Sequence, residues 1–66
     1  MDELRFVAIL DVGEQRLFCS DKLRDEWTFR FGFAETFREL HEATRIAQAH
    51  GARVVPWTEA AAFEQP

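Results

Sequence analysis

Apolar residues recur at every second position through the first half of this chain, and near residue 33 the spacing lengthens to every third or fourth and holds to Gly51. That change of period describes strands laid down first and one helix laid over them. It predicts an α+β fold in a single domain spanning residues 1–66.

The strands can be placed one by one. In residues 4–12, Leu4, Phe6, Ala8, Leu10 and Val12 share one face while Val7 and Ile9 occupy the other, the pattern of a strand buried on both sides. Gly13-Glu14 fits a Gly-first two-residue hairpin turn, because glycine reaches positive φ without steric cost. Closing the turn with Val12 opposite Gln15 sets a second strand over 15–20. Asp11 then faces Arg16, Leu10 faces Leu17, Ile9 faces Phe18 and Ala8 faces Cys19, so that like meets like across the pair. After a charged connector at 20–26, Trp27, Phe29 and Phe31 alternate with Thr28 and Arg30 in a third strand over 27–31, which Gly32 ends.

The helix is expected over 33–50. Phe33, Phe37, Leu40, Thr44 and Ala47 form its apolar stripe, flanked by Ala43 and Ile46, with Glu35, Arg38, Glu42 and Arg45 on the opposite side. Two capping boxes compete at its start, Gly32 with Glu35 and Thr36 with Glu39. Gly51 supplies the left-handed stop. A short strand over 53–57 follows, kept to a sheet edge by Pro56. Residues 58–66 form a tail in which 58–63 can make one capped helical turn if Phe63 finds a surface, and 64–66 fray. The arrangement is βββαβ, a mostly antiparallel four-stranded sheet in the order 3-2-1-4 with one helix on one face. A helical crossover brings strand four back parallel to strand one.

One helix covers one sheet face, taking Phe6, Ala8, Leu10, Leu17, Cys19, Trp27, Phe29 and Phe31. The reverse keeps Val7, Ile9, Phe18, Val55 and Trp57, an apolar cluster that needs a cover, either the tail or a partner. Covering ~300 Å² is worth about 7 kcal/mol before entropy, comparable with the whole stability of a small domain.

The chain holds eight basic and twelve acidic residues, a net charge of −4, which opposes binding to nucleic-acid backbones. No apolar run approaches the ~20 residues of a membrane span, and Met1-Asp2-Glu3 is not the basic start of a signal peptide, so a cytoplasmic protein is expected. Cys19 is the one cysteine, which rules out an internal disulfide and reads as a small buried hydrophobe. His41 and His50 point about 180° apart on one helix and share no metal through it. The neighbouring carboxylates Asp25-Glu26 diverge along the backbone, and Gly13, Gly32 and Gly51 lie too far apart to cradle a phosphate. Neither an enzyme, a cofactor, a metal nor a small-molecule ligand is expected.

From Leu4 to Trp57 the order of hairpin, third strand, Gly-Phe-Ala-Glu-Thr-Phe-Arg-Glu-Leu helix and returning Val-Val strand resembles the small βββαβ domains of HicB-type antitoxins. The resemblance implies a strand-rich domain that binds and occludes a partner toxin, often as an oligomer. Members of that family commonly carry a DNA-binding region, which is not expected within residues 1–66. The reading is therefore a small acidic, non-enzymatic module that works by occupying a protein partner's surface. An antitoxin-like protein or an inhibitor of nucleic-acid-handling machinery such as an anti-CRISPR fits it, with a structural homodimeric subunit of a larger complex as the alternative. The expected contact residues are Val7, Ile9, Phe18, Val55 and Trp57, joined by the carboxylates Asp11, Glu14, Asp25 and Glu26 near the hairpin tip and connector.

Overall fold

Gly13 turns the chain at φ 61°, and among the described non-glycine residues only Asp25 has positive φ, so Glu14 keeps the negative φ that a Gly-first hairpin turn requires. The strands on either side, β1 (Phe6–Val12) and β2 (Gln15–Asp21), pair antiparallel with Val12 opposite Gln15, Asp11 opposite Arg16, Leu10 opposite Leu17 and Ile9 opposite Phe18. This is the register that like-to-like pairing predicts. The computed structural model describes residues 4–64, with side chains through Ala62.

A bulge between Cys19 and Asp21 loosens the end of β2 before a short β3 (Glu26–Thr28) pairs with it. A 3-10 turn at Phe31–Phe33 follows, then helix α1 (Leu40–His50), strand β4 (Arg53–Pro56) and a second helix, α2 (Trp57–Glu64). The sheet order is β3-β2-β1-β4, with β1 inside and β4 at an edge, as the hydrophobic pattern predicts.

Three larger differences from the sequence reading stand out, and one cause accounts for two of them. Residues 34–39 are not helical. Phe37 exchanges both backbone hydrogen bonds with Phe6, at 2.8 and 2.9 Å, and the Glu35 N–H donates to the Cys19 carbonyl at 2.7 Å. Pairing of this segment with backbone far away in sequence outweighs the local spacing of Phe33 and Phe37. Neither capping box forms: Glu39 occupies the helix-capping position without a side-chain hydrogen bond, and Thr36 Oγ1 accepts one from Arg5 instead.

The second consequence is direction. An extended passage back along the sheet places the start of α1 at the end where β1 begins, so β4 leaves the helix running against β1. Phe6 pairs with Pro56, Val7 with Val55, Ala8 with Val54 and Ile9 with Arg53, all antiparallel. The expected parallel return of strand four is thus corrected, and the sheet is antiparallel throughout. Third, β3 is only three residues long, because the chain bends at Phe29 and enters the 3-10 turn.

The helix ends as anticipated. Gly51 adopts φ 70°, ψ 27°, and Ala52 N–H returns to the Ala47 carbonyl at 2.7 Å, satisfying a carbonyl that the last turn leaves open.

Two apolar clusters sandwich the sheet. On the α1 side Ala8, Cys19, Phe37 and Ala43 are buried, with Phe6, Trp27, Ile46 and Val54 packed around them. On the reverse side Val7, Ile9, Phe18, Val55 and Ala60 are buried together, with Phe31 and Ala34 against them. Of the two covers expected for the reverse face, the chain supplies its own tail: α2, with Phe31 and Ala34, lies over it, and the expectation that a partner contacts Val7, Ile9, Phe18 and Val55 there is corrected. Phe31 belongs to this reverse cluster rather than to the α1 side, its ring 5.4 Å from that of Phe18 and nearly perpendicular to it. The part expected of Phe63 lies outside the described side chains, and fraying at residues 65 and 66 lies outside the described residues.

α2 carries three successive alanines, of which Ala60 is fully buried and Ala62 is exposed. A chain of 66 residues has roughly 3–10 kcal/mol of stability to lose, and a buried unpaired cation costs about 3 kcal/mol or more. Ala60→Arg should therefore unfold the domain or lower its urea midpoint severely, while Ala62→Arg should change it by no more than about 0.5 kcal/mol. Equal effects in urea titrations would show that α2 does not dock through Ala60.

Candidate protein-binding surface

The nine residues that the sequence proposes for contact fall into separate places. Val7, Ile9 and Phe18 are fully buried and Val55 nearly so, all within the chain's own interior beneath α2, and a partner reaches none of them without displacing that helix. Trp57 begins α2 and is 41% exposed. Its ring rests 5.9 Å from Phe31, and its N–H donates to the Arg5 carbonyl at 2.7 Å.

The four carboxylates divide between two ends of β2. Asp11 and Glu14 stand at its start, Asp25 and Glu26 at its finish. Seven residues of strand separate the two pairs, about 20 Å. Asp11 is also neutralised locally, accepting a hydrogen bond from Arg53 Nε at 2.8 Å with Arg16 Nε at 4.0 Å. The Arg53 hydrogen bond is the main cause that holds the Asp11 carboxyl below the usual range. Asp25 lies 3.3 Å from His50 Nε2, whose ring in turn meets Trp27 edge-on at 5.3 Å. Glu14 and Glu26 are exposed.

What the surface does offer is aromatic. Phe33 is 64% exposed, in the same 3-10 turn as the anchored Phe31, whose ring Trp57 also meets. Leu4, next to the Arg5 that receives the Trp57 amide, is exposed too. Phe29, 62% exposed, ends the run beside β3. Spacing alone places Phe29 and Phe33 in the interior. What could have revealed them is Gly32 and the short step from Thr28 to the Phe6-paired Phe37, too little chain to bury every ring between them.

Potential chemistry elsewhere is held in structural pairs. Cys19 is buried, and burial pushes its thiol up to about 11, leaving almost no thiolate at neutral pH. His41 lies 3.2 Å from Glu39. Lys22 ties the β2–β3 turn to the rest: its Nζ meets Glu42 Oε1 at 2.7 Å and sits 5.4 Å from the Phe37 ring centroid, while its N–H donates to Glu35. A shallow hollow of about 580 Å³ is lined by Leu40, His41, Thr44, Arg45 and Gln48, all from α1, so it has no opposing wall to grip a ligand. Among the described residues no cluster of three or more His, Cys, Asp or Glu is placed to hold a metal, and no helix is long and apolar enough to cross a membrane.

No protein-family model, curated protein or solved structure matches this chain.

The ion pairs give a pH dependence with a definite sign. Hydrogen bonding to Arg53 depresses Asp11 and hydrogen bonding to Lys22 depresses Glu42, while Glu42 raises Lys22. A depressed carboxyl contributes stability above its unfolded value, and that contribution is lost as pH falls through its folded value. The Lys22 contribution is full below its unfolded value and is lost as pH rises through the raised one. Thermal midpoints should thus hold between about pH 5 and 10 and fall on either side. Asp11→Asn and Glu42→Gln should each flatten the acid limb, and an acid limb of unchanged steepness in both would show that these pairs contribute nothing. Alkylation of Cys19 at about pH 8 should proceed only at the rate of global opening, becoming rapid in urea. Fast labelling of the native protein would place that thiol in contact with solvent.

Proposed function

We propose that this chain is a non-enzymatic protein-binding module that acts by occupying a partner's surface, through the aromatic rim formed by Phe33 and Trp57 around Phe31. The observation that carries this reading is the exposure of Phe33 beside a finished interior. Both sheet faces are filled without it, yet a ring worth about 1.5–3 kcal/mol when buried stays at the surface. Aromatic side chains beside an anchored ring are the usual composition of binding hot spots. The occluding, antitoxin-like mode implied by the HicB-type layout suits such a rim. The carboxylates support an anion-mimicking inhibitor less, since Asp11 is paired with arginines and the others are spread along the sheet.

The immobilised chain should retain one protein from host lysate, and retention should persist at about 0.5 M salt, because apolar contact is not weakened by screening. Phe33→Asp should abolish retention while leaving the thermal midpoint close to that of the unaltered chain. Gln48→Asp, on α1 across the sheet, should retain the same protein. Retention by Phe33→Asp undiminished would move the site elsewhere.

A further inference from the structure

We propose that the outer edge of β3 is a self-pairing surface that joins two copies of this chain about a two-fold axis at Thr28. This goes beyond the rim of Phe33 and Trp57, which it leaves free for another protein.

The backbone comes first. Phe6 exchanges its hydrogen bonds with Phe37, on the β2 side of β1, while the carbonyl of Arg5 receives Trp57 on the β4 side. Bonding alternates along a strand, so even-numbered residues of β1 face β2, and Leu10 opposite Leu17 is a bonded pair. Odd-numbered residues of β2 then face β1, and Phe18 faces β3, where it pairs with Thr28. Trp27 therefore turns its N–H and C=O outward, and so does Phe29 once in line. β3 is the outermost strand on that side.

The side chains are self-complementary about the same point. Glu26 and Arg30 stand two residues to either side of Thr28, both exposed and both without an ion-pair partner among the described residues. Trp27 and Phe29 stand one residue to either side. Antiparallel apposition of two copies at Thr28 sets Glu26 against Arg30 twice and Trp27 against Phe29 twice. It places the two aromatic pairs at the positions whose outward amides and carbonyls bond each other. It also covers Phe29, which is otherwise 62% exposed. Arg30 is already extended at φ −93°, ψ 113°; pairing straightens the bend at Phe29 and releases the Arg30 N–H from Thr28 Oγ1, which it now meets at 3.2 Å. A seam of about five residues is smaller than the ~800 Å² per partner of a standard interface, so the dimer is a weak one.

Sedimentation equilibrium between about 10 μM and 1 mM should show a reversible monomer–dimer equilibrium, the range expected for so small a seam. Arg30→Glu and Glu26→Arg should each weaken dimerisation on the order of tenfold by setting like charges opposite each other. The double reversal Glu26→Arg/Arg30→Glu should restore it, with circular dichroism showing all three folded. Amide exchange at Trp27 and Phe29 should slow as concentration rises. Phe33→Asp should leave the dimer intact, so failure of the partner rim and failure of this seam are separable. A monomer throughout that range, a dimer indifferent to the single reversals, or a double reversal that does not recover would each overturn the proposal.

Discussion

The backbone pairing of Phe37 with Phe6 governs the rest of this fold. Two hydrogen bonds join residues thirty-one positions apart and hold an extended segment where the local pattern favours helix. That segment takes the place beside β1 that β2 gives up after the bulge at Cys19 and Asp21, and Glu35 closes the gap by donating to Cys19. The Cys19 carbonyl and both backbone groups of Phe6 find partners there, which is the condition for burying them. The Phe37 side chain, carried to the α1 side by the same pairing, becomes one of the largest fully buried groups.

Direction follows from that choice. Because residues 34–39 travel back along the sheet before α1 begins, the helix runs the other way and β4 returns antiparallel to β1. β4 then ends beside the start of β1, where Pro56 lies opposite Phe6 and the Trp57 amide caps the ladder on Arg5. From that position α2 leads straight across the reverse face. A parallel β4 would have delivered the tail to the far end of the sheet. The cover over Val7, Ile9 and Phe18 is in this sense a consequence of one bridge on the other side of the chain.

Much of this was legible beforehand because the forces involved were local. The β1–β2 register rests on a two-residue period and one glycine turn, and the end of α1 rests on Gly51; both read directly from neighbours in sequence. The start of α1 was not legible, since Phe33 and Phe37 carry a helical four-residue spacing while the partner that overrules it is Phe6. α2 was half legible: its three alanines give no apolar stripe, and only burial of Ala60 shows which side docks. The same gap bears on the expected contact residues. Val7, Ile9, Phe18, Val55 and Trp57 read as one cluster covered by either the tail or a partner; α2 buries the first four, while Trp57, at its start, stays partly exposed. Phe33 was lost to a stripe that α1 does not have.

The two edges of the finished sheet are guarded differently, and the difference bears on which strands can pair with them. At β4 the odd-numbered residues bond β1, so the outward groups belong to Val54 and Pro56, and proline has no hydrogen to donate. A foreign strand arriving there finds one amide, too few to hold a ladder. β3 carries no proline. Its protection is brevity, a bend at Phe29 and a pair of opposite charges placed symmetrically about Thr28. Charges in that order disfavour a strand offered in any other register, because a one-residue slip moves Glu26 and Arg30 to opposite faces and leaves both unpaired. Under the self-pairing proposed above, that one register is the one in which β3 meets its own copy.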